Sequence, residues 1–598
     1  MVSTIGGALP RRRYGTTVHG EARTIQVFRF AKPAPFRYKF TRYMRLRILG
    51  LMGGLLLGLA AGCNKASDST AGQSDPKAPV SAGQTAATIA RLHWLGMKRL
   101  SADTNAAFVM RIWNQPETAR LETQTLRKLA QAPWGPSATN QPSGSAPSES
   151  ALLLPLLEDL VQEESYFEAR QLTNGTGELA LAIHLGADHA GLWQTNLALA
   201  FQALYGVQAN VTAPGAWTLQ LANPASSIEL ARSGDWTVLG FAREHNSTFA
   251  DTLARIQRDG VPVAAGATNF WVETDFDLGR IADAFRLGWN VPAEFPRITA
   301  NVIGDGENVR THGELSFAEE LPSSLPAWAI PTNLVRAPLV SFTAVRSLGH
   351  WLQRTPPFAS IPNNAAPDQL FFWNQAGVPF KTFLAWPVAD ARAAFGNLAP
   401  GIKRGLAPHI ASEFGRLVEN ASACFLNWQG LPFGAPCFRA YTNSAPEYLF
   451  AGLTEPLLAS TNKIPGELAQ HIIEGTNAVY FDWEITGRRL SDWRYADDVY
   501  RIVFDADHAP RLKPDCASLR WVANVSTNLS HSVTELKLVD AHRCGFARKS
   551  SLGLTALELD ILFDWFESPE FPGGFRKVLV PDQTSRAFLP RTHPPRSQ

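Results

Sequence analysis

Two distant stretches of this chain repeat one another. TNFWVETDFDLGR, Thr268 to Arg280, and TNAVYFDWEITGR, Thr476 to Arg488, both open on Thr-Asn, close on Gly-Arg and hold the same interval between. Each is strand-like at first and runs into helical spacing. A chain that uses the same strand-to-helix step twice is constrained to a fold built from one repeated unit. Farther on, Ala300–Val302 precedes Glu314-Leu315 as Ala523–Val525 precedes Glu535-Leu536, the second interval being shorter, as in a trimmed hairpin loop. The expected fold class is therefore α+β, with duplicated mixed-sheet domains and helices. The copies run roughly from Ser165 to Pro322 and from Leu339 to Asp540.

Local patterns fill in the units. Residues 85–133 read as an N-terminal helical segment: Asn114 is a cap candidate, Pro116 suits an early helical position and Glu117 the first turn. A Pro/Ser/Gly-rich linker, 134–151, separates it from a first α+β domain, 152–322. In that domain Leu152–Arg170 reads as a helix kinked or begun at Pro155, Glu178–Leu185 alternates as a strand, and Asp188–Gly206 has helical spacing. Ile298–Phe317 reads as a hairpin turning on Gly304-Asp305-Gly306. A second α+β domain spans 339–545, and 546–598 holds a C-terminal helix and tail, the helix announced by the capping-box pair Thr555 and Glu558.

Near the N-terminal side, Arg45 and Arg47 precede an apolar run that is short for a bilayer span and ends in Leu59, Ala60, Ala61, Gly62 and Cys63. This segment, 44–62 with Cys63, resembles the signal of bacterial lipoproteins, although Ala60 stands where leucine is more usual. The resemblance implies a lipid on Cys63, removal of the residues before it, and an extracytoplasmic location at the bacterial cell envelope. Residues 63–84 then read as a flexible tether, rich in Gly, Ser, Ala and Pro. Residues 1–43 read as a start assigned too early, or as a long basic n-region.

That processing changes the charge. The chain carries 55 Lys+Arg and 53 Asp+Glu, but eleven of the bases and one of the acids lie before Cys63, so the part from Cys63 onward carries −8. A mildly acidic body without a basic, aromatic-interleaved stripe is a poor nucleic-acid binder, and none is expected as a partner. Beyond Cys63 stand Cys424, Cys437, Cys516 and Cys544. An even number in an oxidising space allows two disulfides, with 424–437 and 516–544 closest in sequence and other connectivities or free buried thiols left open.

No G-x-S-x-G elbow, H-E-x-x-H helix or G-K-[ST] phosphate loop occurs. His184, Asp188 and His189 are the tightest His/carboxylate group, with His184 and His189 a metal alternative and helix-start hydrogen bonding the plainer account. Asp505, Asp507 and His508 precede Pro510 and read as a turn. Asp275 and Asp482 sit on strand-like segments where alternate acids share a face, so they are the catalytic alternative for a glycoside hydrolase, with a solvated strand face the plainer account. Trp193, Trp271, Trp351, Trp373 and Trp483 would stack on sugars if exposed, or pack the core if not. No cofactor is implied. The expected function is a non-enzymatic, lipid-anchored envelope protein that binds a protein or envelope component; the alternative is a glycan-binding protein or carbohydrate-active hydrolase.

Overall fold

A segment whose apolar residues recur every second position can bury one face only in a sheet. The segments with that pattern assemble into one sheet of twenty strands. The computed structural model describes residues 87–572 apart from 135–149, 223–224, 244–245, 264–269, 286, 288–290, 292–294, 323, 348–366, 378–380, 407–414, 431–433, 456–467, 469–476, 504–515 and 569–570. The signal segment with Cys63, Trp351 and the Asp505/Asp507/His508 group lie outside the described residues.

Strands β1 to β10 are Ala87–Trp94, Ser165–Gln171, Gly177–His184, Asn210–Ala213, Ala216–Ala222, Ala225–Ser233, Trp236–Ala242, Val272–Phe276, Arg297–Gly304 and Val309–Ser316. Strands β11 to β20 are Leu339–Arg346, Gln369–Gln375, Thr382–Val388, Arg416–Asn420, Phe425–Gln429, Cys437–Tyr441, Glu447–Gly452, Ala478–Ile485, His531–Leu538 and Arg543–Ser550. Helices α1 to α7 are Met97–Leu100, Ala107–Trp113, Pro116–Gln131, Ser150–Gln162, Ala187–Tyr205, Ser247–Asp259 and Leu278–Ala284. Helices α8 to α11 are Ala391–Leu406, Thr486–Val503, Ala517–Val525 and Ala556–Glu567.

From one edge inward the strands run β4, β5, β6, β7, β3, β2, β1, β8, β9, β10. From the other edge they run β14, β15, β16, β17, β13, β12, β11, β18, β19, β20. The two halves have the same connectivity and join where β10 pairs with β20. Registers agree as well: β1 bulges between Thr88 and Ala90 against β2, and β11 bulges between Leu339 and Ser341 against β12. Where a mixed sheet was expected, every pairing among the described strands is antiparallel, including those between strands remote in sequence such as β1–β8, β3–β7 and β10–β20.

Several expectations are corrected. The helix read over Leu152–Arg170 stops at Gln162, and Ser165–Gln171 is strand β2, paired with β1 and β3. Residues 85–133 are not all helical: Ala87–Trp94 is strand β1, an internal strand between β2 and β8, and only the residues after it form α1 to α3. Helix α3 starts with Pro116 at its first turn, but its N-cap is Gln115, while Asn114 ends α2. The strand overlay holds for β8 and β18, since Phe276 lies opposite Ala90 as Glu484 lies opposite Ser341. It fails farther on, because Ala523–Val525 closes helix α10 while Ala300–Val302 is in β9. The strand register puts Thr534, opposite Asp482, in the place of Ala300, opposite Thr274.

Helices cover one face throughout. Leu278, Ile281 and Ala284 of α7 pack on Ala90 and Leu92, and α5 packs Trp193 and Leu197 on Trp217, Leu219 and Leu230. At the centre α2, α3, α9, α10 and α11 share an apolar layer of Ile112, Leu121, Leu490, Val525 and Phe563. Thr555 and Glu558 make the reciprocal capping box that starts α11. The other face is covered near both ends, by α6 on Ala180, Ala182 and Val238 and by Leu334 and Val335 on Phe342 and Phe371. Between them it carries exposed Arg91, Glu273, Thr299 and His312.

Under α6, Glu168 is fully buried and accepts hydrogen bonds from Tyr166 at 2.8 Å, Arg170 at 2.8 Å and Arg255 at 2.6 Å. Burial alone raises its carboxyl; the hydrogen bonds from Arg255 and Tyr166 and the charges of Arg255 and Arg170 outweigh this and hold it down at about 2. A carboxyl depressed in the fold stabilises it above the unfolded value near 4.5, and that contribution is lost as pH falls toward 2. Glu168→Gln is expected to cost about 3 kcal/mol at neutral pH and to flatten the acid limb of the pH–stability curve, measured as urea midpoints.

Candidate functional site

The two acids proposed to cooperate are not brought together. Asp275 in β8 lies opposite Arg91 and Thr299 on the open face, where Arg297 grips it with two hydrogen bonds of 2.7 Å. Asp482 in β18 lies on the opposite, helix-covered face. Five strand spacings separate β8 from β18 through β9, β10, β20 and β19, about 24 Å at the usual interstrand distance. A glycosidase needs its carboxyls about 5–9.5 Å apart, so the Asp275/Asp482 pair is withdrawn.

Asp482 also departs from the solvated-strand account. Both it and Glu484 are buried, because α9 and α11 close over that face. Arg489 of α9 donates to Glu484 at 2.7 Å and to Asp482 at 3.3 Å, and Thr343 adds a hydroxyl to Asp482 at 2.5 Å. The other Glu484 oxygen accepts the Ala556 N–H at the start of α11. Next to them Arg548 makes a two-pronged pair with Glu558 at 2.8 and 3.0 Å. Burial raises the Glu484 carboxyl, Arg489 draws it back and Asp482 pushes it up again, leaving it above the ordinary value. This polar knot fastens α9 and α11 to the sheet.

The four candidate tryptophans among the described residues are core residues rather than platforms. Trp193, Trp271, Trp373 and Trp483 are all buried. Trp271 donates its indole N–H to Asp103, and Trp373 packs against Phe383 and Phe450.

The four cysteines are free thiols. Cys424 lies opposite Ala440, whose N–H donates to its carbonyl, whereas Cys437 is opposite Asn427 and Gly452. The register therefore holds them three residues apart along β16, roughly 10 Å, beyond the reach of a disulfide. Cys516 precedes α10, while Cys544 is buried in β20 opposite Leu315 and Leu538. Burial raises the thiols of Cys437, to about 12, and Cys544, to about 11. Neither of the two sequence-local disulfides is present.

His184 and His189 part company too. His184 ends β3 and sets its ring edge-on to Trp236, 5.3 Å between centroids. His189, in the first turn of α5, directs Nδ1 to Asp159 of α4 at 2.7 Å, so they form no metal pair; among the described residues no group of three metal-ligating side chains gathers anywhere. Trp193, one turn along α5, donates to the second Asp159 oxygen at 2.9 Å. Both oxygens of this buried carboxylate are thus engaged, and as an acceptor it fixes the Nδ1–H form of the ring and turns Nε2 outward.

His189 is one of the residues lining an open cleft of about 610 Å³ between α1, α2, α4 and the start of α5. Met97, Met110 and Trp113 are the apolar members of its lining, and Lys98, Ser101, Asn114, Glu158, Asp159, Gln162 and Glu163 line it beside His189 as polar ones. Lys98 pairs with Glu163 at 3.1 Å. Asp159 was missed in the sequence, where its signal is a carboxylate on the buried stripe of an apolar helix, a position that requires a partner.

Arg489→Met would leave Asp482 and Glu484 buried without their shared cation and is expected to cost about 3–5 kcal/mol. Arg297→Met, removing the half-exposed partner of Asp275, should cost below about 1 kcal/mol; urea unfolding of both variants checks the contrast. Comparison with known proteins finds no match: no family model, no curated protein and no solved structure is similar to this chain.

Proposed function

We propose that this chain is a non-enzymatic binding protein of the bacterial cell envelope, lipid-anchored through Cys63, whose body is a duplicated α+β unit. The duplication is supported by the shared strand order of the two halves and by the bulge repeated at Thr88/Ala90 and Leu339/Ser341. Independent origins would have to reach the same connectivity, hairpins and register twice.

The observation that carries the binding function is the preformed cleft beside His189. It is open to solvent, its lining mixes apolar and polar side chains, and its one histidine is held in a set orientation by Asp159, whose other oxygen accepts from Trp193. An envelope component or a segment of a partner protein is the ligand this arrangement suits. The hydrolase alternative lost its basis with the separation of Asp275 and Asp482.

The anchor is carried by Arg45, Arg47, the apolar run and Cys63. Among the described residues no helix is long and apolar enough to cross a membrane, so a lipid and a tether would provide the attachment. Expressed in a bacterium fed a labelled fatty acid, the wild-type chain should take up label and sediment with membranes. Cys63→Ser should do neither. Equal membrane fractionation of the two chains would refute the anchor.

A further inference from the structure

We infer that the cleft beside His189 is the seat of the chain's own basic C-terminal segment, Phe575 to Lys577, which an incoming ligand must displace; the gating, though not the seating, rests on the binding function proposed above. Residues 573–598 lie outside the described residues, but the place they depart from is defined. Phe571 is buried with Leu126 and Leu129 of α3 and Trp565 of α11, against Leu154, Leu157 and Val161 of α4. The Trp565 indole donates to the Pro572 carbonyl at 3.1 Å and fixes the exit. Val161 also packs in the cluster that holds Met97, Met110 and Trp113, so it bridges the exit of the chain and the apolar residues of the cleft lining. Glu158, another lining residue, stands one helical turn beyond Leu154.

Charge selects this occupant. Glu158, Asp159 and Glu163 line the cleft against one ammonium, Lys98, whose side chain is 71% exposed. Burial and then the charge of Glu158 raise the carboxyl of Glu122 on α3, so like charges crowd this side of α4. Beyond Pro572 the chain holds Arg576, Lys577, Arg586, Arg591 and Arg596 with a single acid, Asp582. A basic segment leaving beside an acidic cleft is drawn to it. Gly573 and Gly574 let the backbone turn in either sense, and Arg576 and Lys577 then lie within at most about 14–18 Å of Pro572 along the chain. Phe575 brings an apolar ring for Met97, Met110 and Trp113. Because the segment is already tethered at Pro572, its effective concentration is on the order of millimolar, and a few contacts suffice to hold it.

The test uses the full chain and reads how fast diethylpyrocarbonate labels His189, mapped by mass spectrometry. The side chain of His189 is 56% exposed in the body as described, so a segment seated over it would slow the reaction. Exposed His312, on the open face of the sheet, is the internal reference. The double variant Arg576→Glu/Lys577→Glu should label His189 about tenfold faster than the wild type does, as expected where the seated form holds roughly nine-tenths of the molecules. Glu158→Lys should do the same, and combining it with the reversed tail should restore slow labelling. Raising the salt to about 1 M should speed the wild type toward the variants. His312 and the circular dichroism should be unchanged throughout.

Equal His189 rates in the wild type and the reversed tail overturn the inference. So does slow labelling that becomes fast on dilution, which would put the tail of a second copy in the cleft. Equal rates in a chain that binds an envelope component would remove the seated tail and leave the binding function in place. Slow, charge-dependent labelling in a chain that binds none would do the reverse.

Discussion

Everything in this molecule depends on the pairing of β10 with β20. Eight residue pairs, from Val309 opposite Ser550 to Ser316 opposite Arg543, fuse two ten-stranded halves into one continuous sheet. Without that ladder each half would end in a bare strand edge, the usual template for unwanted pairing. Gly313 lies in the middle of β10, where a β-carbon would fall 2.0 Å from the Thr299 carbonyl oxygen, so this crowded position requires glycine. Helices α2 and α3, which follow β1, pack with α10 and α11 of the other half, adding an apolar clamp to the same junction.

The halves share connectivity but differ in chemistry at matching positions. Phe276 and Thr274 in β8 occupy the places of Glu484 and Asp482 in β18. In the first half that face is finished with apolar contacts to α7; in the second it is finished with Arg489 and the α11 N-terminus. Buried ion pairs add little net stability compared with apolar packing, but a mismatch among them is costly. The second half therefore places its helices by directional bonds, the first by shape.

This difference explains what could be read in advance. Strands β8 and β18, the hairpin at Gly304, the α5 span and the Thr555/Glu558 cap follow from local periodicity and turn chemistry, and the structure contains them. Strand β1 was hidden because ATIARLHW runs directly into helical residues, and its partners β2 and β8 are remote in sequence. Alternation shows that Asp482 and Glu484 share a face but not which face, and a strand covered on both sides reverses the usual inference. Of the cleft, only His189 was a candidate site residue beforehand, Asn114 having been read as a helix cap; Asp159 and Trp113 reach it through packing between helices, which leaves no sequence spacing to recognise.

Strand β1 has a mechanical consequence. The chain from the N-terminal side enters the described structure here, and β1 is flanked on both sides by antiparallel neighbours. A pull along that incoming chain would draw β1 lengthwise, perpendicular to two ladders of hydrogen bonds, so many bonds would share the load at once instead of opening one by one. A terminal strand at either edge, β4 or β14, would be held by a single ladder. Entry through an interior strand gives this end of the described body the geometry of a shear joint.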